Sequence, residues 1–137
     1  MSKTAAARTG SKQRSGLRRS LSIAIKRAYD KPSPRDGLRI LIDRLWPRGL
    51  SKAKLKLDAW PRELAPSTRL RKWYAHDPGR FAEFRRRYRS ELAEHRDQLN
   101  TLRGMVRGRA ATLITATREL DLSHATVLRG ILQRKKK

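Results

Sequence analysis

Residues 38–46 of the chain read LRILIDRLW, and within them Ile40, Leu41 and Ile42 form a continuous apolar run. A short run of this kind, without polar alternation, is typical of a strand that is covered on both faces, as in a parallel sheet. Pro47 and Gly49 follow closely and end the strand. The stretch therefore predicts a strand that is covered on both faces, in an α/β sheet with helices on both sides.

Two further segments have the pattern of strands. Residues 22–29 (SIAIKRAY) precede the strand at 38–46, and residues 110–117 (AATLITAT) follow it much later in the chain. The first connection, around the KPSPRDG loop at 31–37, is shorter than the dozen or so residues that a parallel crossover needs. The first strand is therefore either antiparallel to the second or not its neighbour. The second connection is long enough for a crossover, so the second and third strands are predicted to be a parallel pair.

The segment between the second and third strands is predicted to be helical. Ser51, Ser67 or Thr68, and Asp77 before Pro78 are suitable N-cap residues. Apolar residues then recur every three or four positions, which predicts one helical face sustained for about six turns. This face comprises Phe81, Phe84, Tyr88, Leu92, His95, Leu99 and Leu102, with His95 expected to be a buried structural residue. Ser123 is suited to cap a final helix.

The predicted fold is α/β: a small, mostly parallel sheet of about three strands flanked by helices, in a single compact domain at 21–133. Residues 1–20 carry six basic residues and no acid, and we interpret them as a disordered basic arm. An Arg-rich, Ser-rich and acid-poor N-terminus also resembles an organellar transit peptide. Residues 134–137 form a basic C-terminal tail.

The overall composition excludes several classes of protein. The 137 residues include 35 Lys and Arg against 12 Asp and Glu, a formal charge of +23, and no Cys. Without Cys there is no disulfide scaffold, Cys-ligated zinc or catalytic thiol. The chain lacks a Gly-rich phosphate loop, a nucleophile elbow and an HExxH helix, and its three scattered His residues predict no metal or other cofactor. No stretch is apolar enough for a membrane span or signal peptide, so a cytoplasmic protein without membrane contact is expected.

The carboxyl ends of parallel strands are where sites form in open α/β sheets. Asp43, Arg44 and Arg48 follow the second strand, and Glu119, Ser123 and His124 follow the third. We expect these residues in one crevice, with Asp43 and His124 as candidate catalytic acid or base groups. An Arg in a Pro-Gly loop beside a helix start suits phosphate or carboxylate binding. The alternative is structural: an Asp–Arg ion pair at a strand end and a polar residue in a first helical turn.

Four strings also resemble a known family: IKRAYD at 25–30, DGLRILIDRLWPRGLSK at 36–52, LAPSTRLRKWYAHDPGRFAEFRRRYRSEL at 64–92 and TLITATRELDLSHATVL at 112–128. The chain resembles the domain of unknown function 488 family, in its short YeaO-like branch, over roughly 25–132. The resemblance implies a compact α/β protein and no particular activity. The recurring polar positions of the family fall on Arg27, Tyr29, Asp36, Arg39, Asp43, Arg44, Trp46, Arg48, Ser67, Arg71 and His124. Thr115, Glu119 and Ser123 depart from the residues that the family usually has there.

Two functions remain open from the sequence. The first is a pocket for a small anionic or phosphate-bearing ligand, which could belong to an enzyme. The residues expected to bind the anion are Arg27, Arg44, Arg48, Arg71, Ser67 and Ser123. The alternative is a nucleic-acid-binding or ribonucleoprotein-associated basic protein, favoured by the net charge, the basic tails and the RRRYR run at 85–89.

Overall fold

The computed structural model describes residues 22–134 and contains one three-stranded parallel sheet. Its strands are β1 (Ile23–Arg27), β2 (Leu38–Leu41) and β3 (Ala111–Thr115), in the order β1-β3-β2. Both β1 and β2 pair in parallel with β3. The predicted parallel pair is thereby confirmed, and of the two alternatives for the first strand the non-adjacent one is correct. All three strands end at the same edge.

Five helices pack around the sheet: α1 (Lys52–Leu55), α2 (Thr68–Tyr74), α3 (Phe81–Ala93), α4 (Arg96–Val106) and α5 (His124–Gln133). The hydroxyl groups of Ser51, Ser67 and Ser123 accept hydrogen bonds from backbone N–H groups in the first turns of α1, α2 and α5. These caps satisfy donors that a helix start otherwise leaves without a partner. The predicted α/β class is confirmed.

Alternating residues of β2 and β3 fill two apolar layers. Ile40 and Leu113 belong to the larger layer, which α2 to α5 cover, and Leu41 and Ile114 belong to a smaller layer with Leu55. All five side chains are fully buried. Burial of each contributes roughly 1.5–3 kcal/mol, so the apolar run at 40–42 holds both layers together.

The turn into β2 depends on a glycine. Gly37 has a φ of 63°, and a Cβ built on it would lie 2.2 Å from the carbonyl oxygen of Ala110. The same oxygen accepts the N–H of Leu38 at 3.0 Å. Only a residue without a side chain allows this approach, which sets the register between β2 and β3.

The prediction of one continuous helical face was wrong, because α3 and α4 are separate helices. The N–H groups of Glu94 and His95 bond three residues back, to Glu91 and Leu92, and His95 leaves the helical conformation. His95 is half-buried at this junction rather than buried in the core. The tightened turn lets Leu99 and Leu102 reach the same apolar layer as α3 from a new direction.

The second strand ends earlier than predicted, at Leu41. The N–H of Ile42 still bonds to the carbonyl of Ile114, and the chain then bends at Asp43. Here the Asp43 carboxylate accepts the N–H of Ala116, just beyond β3, at 2.8 Å. The bend places the following loop across the strand ends, where the site lies.

The predicted arm at 1–20 and residues 135–137 of the predicted tail lie outside the described residues. Among the helices of residues 22–134, none is long and apolar enough to cross a membrane.

Candidate functional site

Asp43 is the centre of a polar cluster at the carboxyl edge of the sheet. Its Oδ1 lies 2.9 Å from Nε2 of His124 and accepts the hydroxyl of Thr115 at 2.7 Å. Its Oδ2 accepts the N–H of Ala116 at 2.8 Å. One carboxylate therefore joins the ends of β2 and β3 to the start of α5.

The environment of Asp43 favours the ionised carboxylate. Burial by itself raises the pKa of this carboxyl, but the hydrogen bonds from His124, Ala116 and Thr115, with the charge of His124, outweigh burial and lower the pKa below its usual value. An ionised carboxylate can only accept hydrogen bonds, so the proton between the two side chains lies on Nε2 of His124. Nδ1 is the ring nitrogen that does not contact Asp43.

Two neighbours hold the His124 ring. Ser123 caps α5 by accepting the N–H of Ala125 at 3.1 Å, which fixes the backbone of the first turn. The ring of Tyr88 makes an edge contact with the imidazole of His124, and the two ring centres are 6.2 Å apart. Tyr88 is fully buried and donates to the carbonyl of Leu64. The imidazole is thus oriented by apolar packing as well as by Asp43.

A cavity of about 380 Å³ opens beside this cluster. Six of the eight predicted site residues line it: Asp43, Arg44, Arg48, Arg71, Ser123 and His124. They come from the loop after β2, from α2 and from the start of α5, which are far apart in the chain. The volume falls within the roughly 300–1,000 Å³ of cavities that bind small molecules.

The three arginines of the cavity differ in what they contact. Arg44 donates from Nε to the carbonyl of Pro66 at 3.2 Å and from Nη2 to that of Ala65 at 3.0 Å. It therefore holds the start of α2 against the end of β2. Arg48 and Arg71 are exposed, and within residues 22–134 neither has a carboxylate partner. Their charges remain available to a ligand.

The other two predicted anion-binding residues lie outside the cavity lining, and so does Glu119. Arg27 donates to the carbonyl of Thr117 at 3.1 Å and lies over the ring of Tyr29. Ser67 donates from its hydroxyl to Glu91 at 2.5 Å, and its N–H bonds to the same carboxylate. Both side chains are thus hydrogen-bonded to protein groups, and only the other six predicted site residues line the cavity.

Sequence reasoning missed several residues that shape the cavity. Thr115 fixes Asp43, and Tyr74 and Phe84 stack with ring centres 4.4 Å apart in the cavity wall. Burial, with the charges of Asp77 and Glu119, raises the pKa of Tyr74. The position of Thr115 at the end of an apolar run is a signal that could have pointed to the site. The two ring residues had no comparable signal, because both belong to ordinary helical apolar stripes.

The hydroxyl groups of the cavity are largely engaged in structural bonds. Thr115 donates to Asp43, Ser123 to the carbonyl of Leu120 and Tyr74 to the carbonyl of Leu122. None of these hydroxyls is hydrogen-bonded to the imidazole of His124, as an activated nucleophile requires. Across residues 22–134, no three His, Asp or Glu side chains converge in a way that could hold a metal ion. The arrangement can attract an anion beside the Asp43–His124 pair.

The chain is similar in sequence to known proteins and matches one family model. Residues 22–137 match the family model described as the inactive DUF488-N3 subclade. Uncharacterized protein YeaO of Escherichia coli K12 is 41% identical over 108 residues, which cover 79% of this chain and 94% of that protein. Uncharacterized protein Rv3073c of Mycobacterium tuberculosis is 40% identical over 114 residues, covering 83% and 96%. No solved structure matches the chain.

The match to the family model covers the whole sheet, all five helices and every residue of the cavity. The family model and the two relatives agree with the resemblance of the DRLWPRG and APSTRLRKW strings. The chain therefore belongs to the domain of unknown function 488 family, as a YeaO-like member of its inactive DUF488-N3 subclade.

Proposed function

We propose that the cavity binds a small anion, with phosphate or a phosphate monoester as the preferred class, and holds it without chemical turnover. The observation that carries the proposal is the pair of exposed guanidinium groups, Arg48 and Arg71, which line one cavity and lack carboxylate partners within residues 22–134. A cytoplasmic location, where phosphorylated metabolites are abundant, is part of this proposal.

The balance of charge in the cavity supports an anionic ligand. The only carboxylate in the lining is Asp43, and its oxygens already accept three hydrogen bonds. The first turn of α5 adds the positive end of a helix dipole at His124. Two guanidinium groups without matching acids therefore leave a positive potential in a confined space.

The contacts of the hydroxyl groups favour binding over catalysis. A nucleophile needs a neighbouring base, and His124 directs its Nε2 to Asp43 rather than to a hydroxyl. Thr115, the hydroxyl nearest in the network, donates its own proton to the same carboxylate. The family description as an inactive subclade agrees with a site that keeps an Asp–His pair but does not use it for turnover.

The test is calorimetric titration of the full chain with inorganic phosphate and with sulfate. We expect saturable binding, and we expect Arg48→Ala to weaken it about tenfold or more, since a charge-assisted hydrogen bond to the ligand is lost. Arg89→Ala is the matched control, because Arg89 is an exposed arginine of α3 outside the cavity lining. Absence of binding by the wild type, or an equal loss in both variants, would contradict the proposal.

A second candidate function is non-specific binding of nucleic acid, alone or within a ribonucleoprotein. It is favoured by the outer face of α3, where Arg85 and Arg89 are exposed and have no carboxylate partner among the described residues. Arg86 and Arg87 on the same helix pair with Glu83, which reduces their contribution. The basic tails add ten charges, and they are tested in the Discussion.

A further inference from the structure

The cavity mouth carries an unusual concentration of exposed apolar surface. Two large hydrophobic side chains are exposed within residues 22–134, namely Tyr29 at 45% and Leu45 at 64%. Both line the same cavity as Arg48 and Arg71. Exposed apolar side chains gathered at a cavity, rather than scattered singly, are typical of a surface that a ligand covers.

The cavity wall continues this apolar surface inward. Tyr74 and Phe84 are stacked at 4.4 Å, and Trp46 makes an edge contact with Trp60 at 5.4 Å between ring centres. The indole of Trp46 is anchored by donating to the carbonyl of Leu50 at 2.6 Å. These rings are held by their own contacts, so the wall is preformed before a ligand arrives.

The position of Tyr29 is also fixed by the protein. Its hydroxyl donates to the carbonyl of Arg48 at 3.0 Å, and the guanidinium of Arg27 lies 5.2 Å from its ring centre. Arg27 is in turn bonded to the carbonyl of Thr117. The half-exposed ring is therefore held beside the loop that carries Arg48, which places a flat apolar surface next to a cationic one.

We infer that the ligand of this cavity is a phosphate monoester with a flat, apolar ring: the arginines bind its anionic group, and Leu45, Tyr29 and the ring wall cover its body. The inference rests on the proposed function and deepens it, since a bare inorganic anion would leave the apolar lining exposed. Aromatic side chains pack against a ligand ring in offset or edge geometry, and the apolar area that is buried stabilises the complex.

The test compares two esters of equal charge, phenyl phosphate and methyl phosphate, by calorimetry on the full chain. We expect phenyl phosphate to bind at least about tenfold more tightly. Leu45→Ser should lower the affinity for phenyl phosphate several-fold and leave that for methyl phosphate unchanged, whereas Arg48→Ala should weaken both. Leu45 is largely exposed, so the variant is expected to fold, and circular dichroism with thermal unfolding checks this.

A second measurement locates the ring directly. Nuclear Overhauser contacts from the ring protons of phenyl phosphate to the methyl groups of Leu45 are expected, and Leu45→Ser should remove them. Equal affinity for both esters with no effect of Leu45→Ser would overturn this inference while anion binding stands. Failure of both esters and of inorganic phosphate to bind would overturn the proposed function, and this inference with it.

Discussion

Oδ1 of Asp43 lies 2.9 Å from Nε2 of His124, although 81 positions separate the two residues in the chain. The contact connects the loop after β2 to the first turn of α5, and β3 lies between them in the sequence. Thr115 and Ala116, at the end of β3, donate to the same carboxylate. Asp43 thus fastens together three segments that each contribute to the cavity.

Asp43→Asn is expected to lower the free energy of unfolding at pH 7 by about 1–3 kcal/mol. The amide has one oxygen in place of two, so one of the three donors around it loses its acceptor. The pKa of Asp43 is lowered in the folded state, so the ionised group stabilises the protein fully above its ordinary value of 3.8 and loses this effect as the pH falls below it.

Urea unfolding of wild type and variant between pH 7 and pH 3 measures this effect. The difference between the two proteins should shrink below about pH 4. Glu94→Gln is the control, because Glu94 is exposed and its side chain makes no ion pair within the described residues. A difference that stays constant across the whole pH range would show that the charge of Asp43 is not involved.

Gly37→Ala is expected to destabilise the protein by about 3 kcal/mol or more, because the new Cβ would lie 2.2 Å from a backbone oxygen at a φ of 63°. Gly104→Ala, within α4, is the matched substitution: nothing lies within 4 Å of its added Cβ. Alanine there should be neutral or stabilise by up to about 1 kcal/mol. Thermal unfolding of both variants tests the register of β2 on β3, and similar melting temperatures would contradict it.

Arg44→Ala and Arg48→Ala are expected to differ in their effect on stability, because only Arg44 is held by structural hydrogen bonds. Arg44 donates to the carbonyls of Ala65 and Pro66, so its loss should cost about 1–3 kcal/mol of stability. Arg48 is exposed and its side chain holds no such bonds, so its removal should change stability by less than about 0.5 kcal/mol. Chemical unfolding of the two variants checks this, and equal losses would mean that Arg48 also has a structural role.

The proximity of Asp43 and His124 in the candidate site could be predicted from the sequence because it follows from topology. Parallel strands end at one edge, and Asp43 and His124 each follow the end of a buried apolar run. What the side chains of Arg27 and Ser67 contact could not be predicted, since Thr117 and Glu91, which they bind, are distant in the chain. Polar residues near a site resemble one another in sequence, whether they face the ligand or brace the loops around it.

The helical region was likewise predictable only in part. The Ser caps and the apolar steps were visible, but the break at Glu94 and His95 has neither Gly nor Pro to mark it. The chain tightens there because Leu92 and Leu99 must both reach the core, which is a demand of tertiary packing. Leu45 illustrates the opposite case: it falls within the predicted strand at 38–46, and its exposure appears only once the loop after Asp43 is placed.

Limited proteolysis is expected to leave a resistant core close to 21–133. This expectation rests on the change of composition at both ends of the range. All 12 acidic residues lie within it, as does the apolar sequence that builds both layers. Mass spectrometry of trypsin fragments should show early cleavage at 1–20 and at 134–137. Early cleavage within 38–46, which contains the fully buried residues Ile40, Leu41 and Ile42, would overturn the domain limits.

The basic tails are expected to supply most of the affinity for nucleic acid. Residues 1–20 and 134–137 carry ten of the 35 basic residues and none of the 12 acids. Each phosphate that they neutralise releases counterions, so the slope of log affinity against log salt should become shallower when these charges are removed.

The variant to measure keeps the length of both tails and replaces their ten Lys and Arg by Gln, which separates charge from chain length. Binding to a duplex of mixed sequence is followed by fluorescence anisotropy over a salt series. An unchanged affinity and slope would place the nucleic-acid surface on the folded core, with Arg85 and Arg89 of α3 as the next residues to substitute. A phosphate titration of the same variant serves as the control: it should be unaffected, because the cavity arginines lie within the core.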